Sequence, residues 1–185
     1  MHFDSTTKTL FFQSRKIATR PCSGNSAQTA ASERCYPFLA MRTLHTLDYS
    51  EARRAADVIL EKAAQMQKAA VVAVADAHGD LIFLARMDGA PISSIRVAAN
   101  KAYTAARERK PTKEIGDKVK HPEKGHDISY FGDPNYTGWG GGLPVWKNGE
   151  VIGAIAVSGL SSAEDIALAT QGVELLALDP QTSRS

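Results

Sequence analysis

Apolar residues recur at helical spacing in some stretches of this chain and form short unbroken runs in others, and the alternation sets the expected architecture. Over residues 48–67, Ala52, Ala55, Ala56, Ile59, Leu60, Ala63 and Ala64 fall on one helical face, with Arg53, Arg54, Asp57 and Glu61 elsewhere. Asp48 or Ser50 is placed to cap that helix. Residues 69–75 are a β-branched run, residues 76–80 (DAHGD) a turn, and residues 81–87 a second apolar run, which together predict a hairpin. Residues 92–109, ISSIRVAANKAYTAARER, predict the central helix. Pro91 precedes it, Ser93 or Ser94 is its expected cap, and Pro111 closes it. Residues 112–119 predict a short helix capped by Thr112. Residues 121–139 hold no regular pattern, and a loop of that length is usually functional or mobile. Residues 143–146 and 151–157 predict a second hairpin around Asn148-Gly149, with Pro144 marking an edge or a strand start. Ser161 and Glu164 form a capping box that opens a last helix, to about Leu178.

This order of helix, hairpin, helix, loop, hairpin and helix predicts an α+β domain, with helices layered on an antiparallel sheet. The chain has 185 residues, which suggests one domain, over 41–180. Residues 1–40 differ in composition. Of 22 basic and 20 acidic residues, five basic and two acidic lie there, leaving 17 and 18 in the remainder. The domain is thus near neutral, without the basic signature of a nucleic-acid partner. The leader fits three readings: a disordered segment, an upstream extension ahead of Met41, or a mitochondrial-type transit peptide. The expected location is the cytoplasm, with mitochondrial targeting by residues 1–40 as the alternative. Residues 181–185 read as a polar tail. Cys22 and Cys35 both lie in the leader, so the domain has no thiol for a disulfide or a metal. No run approaches the ~18 apolar residues of a membrane span.

The central helix carries a cation, an aromatic and a hydroxyl, Lys101, Tyr103 and Thr104, on an otherwise alanine-rich scaffold. Lys101 and Thr104 are three apart and share a helix face, so they are the better pair for one ligand; Tyr103 points about 100° away from Thr104. The plain alternative is that the stems of Lys101 and Tyr103 cover the sheet edge. Gly140, Gly141 and Gly142 permit close backbone approach to a partner. No Gly-Lys-Ser/Thr follows them, which argues against a phosphate loop. His78 reads as a solvated turn residue. His121 and His126 are five apart, not the i, i+4 spacing of a helical metal pair.

Three segments, VAVADAHGDLIFLARMDGAP, KAYTAARERKPT and GGGLPVWKNGEVIGAIAVSGLSSAEDIALA, together resemble the GlcG/HbpS family of haem-binding or haem-degrading proteins, related to the C-terminal domain of PduO. The resemblance covers residues 43–178. It implies a profilin-like fold, an antiparallel sheet of about five strands with helices packed on it, and a homo-oligomer. It also implies haem as cofactor, with Thr104 of the K-A-Y-T segment at the site. The carry-over extends to Lys101 and Tyr103 only as neighbours of that site, and Gly141 and Gly142 join them as candidate cofactor contacts through their open backbone. The chain departs from familiar members at His78 and at Trp139 and Gly140. Covalent haem attachment is excluded by the absence of C-x-x-C-H. Two other functions compete with haem binding, of which only the first uses the same cleft. One is a small-molecule catabolic enzyme, of hydrolase or isomerase type, with Lys101 or His126 as acid/base and the Gly140, Gly141 and Gly142 amides stabilising negative charge. The other is a non-catalytic accessory oligomer.

Overall fold

The structure is a computed structural model, and it describes residues 43–178. The expected leader with both cysteines, the 181–185 tail, and residues 41–42 and 179–180 of the expected domain lie outside the described residues.

The first helix, α1 (Tyr49–Gln65), begins at Asp48, whose side chain accepts the Glu51 N–H at 2.8 Å. Glu51 returns the bond by accepting from the Asp48 N–H at 3.0 Å. Ala52, Ala55, Ala56, Ile59 and Ala63 form its buried stripe, as the periodicity predicts. Strands β1 (Val71–Asp76) and β2 (Leu81–Arg86) form the first hairpin. Helices α2 (Ser94–Glu108) and α3 (Thr112–Val119) follow, then a single 3-10 turn at Ile128–Phe131. Strands β3 (Gly142–Lys147) and β4 (Glu150–Ser158) form the second hairpin, and α4 (Ser162–Leu178) closes the fold. Between β3 and β4, Asn148 and Gly149 both take positive φ, 50° and 80°, which matches the twist a two-residue hairpin needs.

The sheet has the order β2-β1-β4-β3, and every neighbouring pair is antiparallel. It has four strands among the described residues, not the expected five or so. The segment long enough to add one, residues 120–141, is broken by Gly and Pro and lacks period-2 alternation, so it forms turns. Alternation along the strands separates two cores. Val72, Val74, Ile155 and Val157 pack with Ile59 of α1 and Leu168 of α4. Val71, Ala73, Ala75 and Ala156 meet Ala98 and Ala102 of α2 on the opposite face. Ala73 pairs directly with Ala156, so small side chains on both surfaces let α2 lie close to the sheet.

Two expected caps differ. Ser93 takes a helical backbone and its hydroxyl caps nothing; Pro91 C=O instead accepts the Ser94 N–H at 3.1 Å. Pro111 occupies the cap position of α3, and Thr112 is its first, buried residue. The Thr112 hydroxyl is needed elsewhere, between two loop carbonyls and an amide. Among the described residues no helix is long and apolar enough to cross a membrane.

Candidate functional site

Polar side chains of α2 meet the rest of the fold in two places. The first is the end of the sheet. Lys101 lies on the Ala98, Ala102, Ala105 face of α2 and is 1% exposed. Its Nζ donates to Val157 C=O at 2.9 Å and to Asp165 Oδ2 at 2.8 Å. Asp165, in the first turn of α4, also accepts the Leu160 N–H at 3.2 Å through Oδ1. Burial pushes Lys101 down from its ordinary range and pushes Asp165 up, while their mutual bond opposes both shifts.

The lysine reaches Asp165 because glycines flank its route. Gly141 has φ +113°, and a Cβ there would lie 2.7 Å from Val157 O and 3.0 Å from Lys101 Nζ. A Cβ at Gly142 would lie 2.6 Å from Lys101 C=O. The Gly142 amide is already committed, donating to Thr112 Oγ1 at 3.0 Å, and that hydroxyl donates to Trp139 C=O at 2.6 Å. Thr112 therefore ties α3 to both ends of the glycine run. Lys101 and Asp165 form one wall of a cavity of about 290 Å³, which continues past Gly138, Gly140 and Leu160 to Lys113 and Lys120 of α3. A groove of about 310 Å³ runs beside α3, lined by Pro111, Gly141, Gly142, Leu143 and Ile166 among others.

The second place is the loop that crosses α2. Thr104 is fully buried. Its hydroxyl donates to Asn100 C=O at 2.7 Å and accepts the Thr137 N–H at 3.0 Å. Tyr103 donates its phenol hydrogen to Asp133, which raises the Tyr103 pKa and lowers that of Asp133. The Arg107 guanidinium lies 4.4 Å from the Tyr103 ring centroid and donates to His78 C=O at 3.0 Å. Tyr136 meets Tyr103 edge-on at 5.9 Å and stacks on Phe131 at 4.5 Å. Burial, with help from the Glu108 carboxylate, pushes Tyr136 up to about 12. His126 lies 5.8 Å from Phe131, and the two flank a cleft of about 130 Å³ with Lys110 and Lys118.

The structure thus separates the residues that sequence singled out. Lys101, Gly141 and Gly142 meet at the end of the sheet. Tyr103 and Thr104 hold the crossing loop. Lys101 and Thr104 share a helix face, yet their polar ends go to different partners, Asp165 and Thr137. His121 Nδ1 accepts two loop N–H groups, of Glu123 and Lys124, at 3.2 and 3.1 Å. Among the described residues no group of three or more His, Cys, Asp or Glu is placed to hold a metal ion. Sequence reasoning missed Asp165, Thr112, Asp133 and Tyr136. Asp165 had a signal, since it shares the i, i+3, i+4 stripe of buried Leu168 and Ala169. The others are loop contacts or side-chain roles with no periodic trace.

Known proteins share this arrangement of elements. The chain is 34% identical over 129 residues to an uncharacterised 15.0 kDa protein of the dhaT-dhaS intergenic region of Citrobacter freundii, covering 70% of this chain and 91% of that one. The crystal structure of the Klebsiella pneumoniae protein ORFY superposes with a TM-score of 0.72 at 29% identity, over 76% of this chain and 97% of ORFY. The crystal structure of a PduOC:haem complex gives 0.65 at 28% identity, over 70% and 94%. Residues 47–174 match the family described as haem degrading protein HbpS-like, and the chain belongs to that family.

Proposed function

We propose that this chain binds haem non-covalently on the loop side of α2, against Tyr103, Tyr136, Phe131 and His126. The observation that supports it most is the similarity to PduOC, whose structure was solved as a haem complex. Haem asks a protein for flat apolar faces, an axial donor such as imidazole, and cations near its carboxylates. The loop side offers all three chemistries: stacked rings, the His126 imidazole, and Arg107, Lys110 and Lys118. The cleft beside His126 is smaller than the roughly 300–1,000 Å³ of an enclosing ligand pocket, so it suits an edge of the macrocycle rather than the whole. Bound haem supplies one-electron and O₂ chemistry of its own. The residues of the chain bind it, orient it and limit its exposure to water.

Within this reading, Thr104 acts by position. Its hydroxyl is engaged on both sides, so it holds the 133–137 segment that presents Tyr136 rather than offering itself to iron. Tyr103 supplies ring surface, and Lys101, Gly141 and Gly142 serve the side of α2 that meets the end of the sheet. Haemin titration followed at the Soret band tests the reading. Wild type is expected to show a saturable shift, and His126→Ala to weaken binding and alter the band position. No saturable shift in wild type overturns haem binding. An unchanged His126→Ala titration overturns the placement.

A further inference from the structure

The haem reading leaves the cavity on the Lys101 side of α2 unused, although it is built of charged groups. An ammonium has three donors. Val157 C=O and Asp165 take two from Lys101, leaving one N–H on a side chain that lines the cavity wall. The surrounding charges do not balance. Asp165 is matched by Lys101, and Asp117 by Lys113 at 2.8 Å, whereas Lys120 has no carboxylate partner among the described residues. One positive charge is left over. Ser162, the first residue of α4, opens on the same space, where N–H groups precede the intrahelical ladder. The remaining wall is apolar, formed by Leu160 and by Trp139, which is 70% exposed. Gly140 lets the chain pack tightly against the start of α4 at this wall, since a Cβ there would run into the Ser162 hydroxyl and lie 2.9 Å from Ile166.

We propose that this cavity binds a small organic monocarboxylate. Its anionic end lies among Lys101, Ser162 and Lys120, and its carbon skeleton lies against Leu160 and Trp139. The surplus of a single positive charge favours a monoanion, and the buried Asp165 oxygens disfavour a dianion such as phosphate. A volume of about 290 Å³ suits a small metabolite rather than a macrocycle. The site is separate from the proposed haem surface and does not depend on it.

The chain has two tryptophans, Trp139 and Trp146, so in the full-length Trp146→Phe protein all indole emission comes from the cavity wall. Lactate and pyruvate are titrated against that emission and by calorimetry, with neutral lactamide and inorganic phosphate as controls. The expected result is saturable binding of at least one acid and none of lactamide. Lys120→Ala should weaken acid binding by about tenfold, the scale of one hydrogen bond to a charged group. Lys120 is exposed, so this variant keeps its fold; Lys101→Met tests the third N–H directly, and if it fails to fold Ser162→Ala takes its place. No saturable response to either acid overturns the proposal. So does equal binding of lactamide, tighter binding of phosphate, or unchanged affinity in Lys120→Ala. A Soret titration of the same protein with saturating lactate separates the two sites. Haemin binding that survives while acid binding is absent leaves the haem reading standing alone.

Discussion

Lys101 and Tyr103 are two residues apart on α2 and end in opposite surroundings. Two residues turn an α-helix by about 200°, so one side chain enters the end of the sheet and the other faces the crossing loop. Lys101 is removed from water and held by Asp165 from a helix 64 positions away. Tyr103 keeps part of its surface in solvent, with Arg107 over its ring and Asp133 on its hydroxyl. A buried charge has no substitute for its partner, whereas a half-buried phenol can exchange a carboxylate for water. The difference separates a fixed joint from a surface free to rearrange around a ligand.

The largest effect is expected from breaking the joint. Asp165→Asn leaves an ammonium buried without its counter-charge and should cost about 3–5 kcal/mol in urea denaturation. Replacing both partners by apolar residues, Lys101→Met with Asp165→Leu, should restore most of that loss. A double variant as unstable as the single one would show that the pair does more than neutralise itself. On the loop side the effect is smaller. Thr104→Val keeps the shape but leaves the Thr137 N–H without its acceptor, so roughly 1–3 kcal/mol is expected. Faster amide exchange should be confined to residues 133–137, and exchange spreading along α2 would contradict the local role.

The smallest effect contrasts two neighbouring acids of α4. Burial raises Asp165, while the bond from Lys68, with those from Ser161, lowers the partly exposed Glu164 to about 2 from an unfolded value near 4.5. A depressed carboxylate contributes stability that is complete above the unfolded value and lost as pH falls through the folded one. Glu164 should therefore add acid sensitivity between about pH 4.5 and 2. Glu164→Gln should flatten the stability profile in that window, and an unchanged slope would assign the acid sensitivity to other groups.

The helices and hairpins were legible because their signals are local. The periodicity of residues 92–109 places α2 to within two residues of Ser94–Glu108, and Asn148-Gly149 marks its turn without outside help. The site was less legible because its bonds join distant segments. Lys101 was visible as an odd charge on an alanine stripe, and Asp165 was equally odd on the stripe of α4. Two opposite charges, each on the apolar face of its helix, are a readable hint of a pair. Thr112 shows the reverse case. Its sequence position suggested a cap, but a tertiary contact with Trp139 and Gly142 outbid the local preference. The strand count slipped for a related reason, since family likeness says less about residues 120–141 than their own irregular pattern does.

Gly116 of α3 lies so close to Gly138 that a Cβ at Gly116 would overlap the Gly138 carbonyl oxygen and lie 2.9 Å from its carbon. A glycine inside a helix costs about 1 kcal/mol relative to alanine, and exchanging it is a routine step in thermostabilisation. Here the routine step works backwards. An engineer who stiffened α3 with Gly116→Ala would drive the helix off the 138–140 strap. Directed evolution for heat resistance should accordingly accept changes on the outer face of α3 and reject this one.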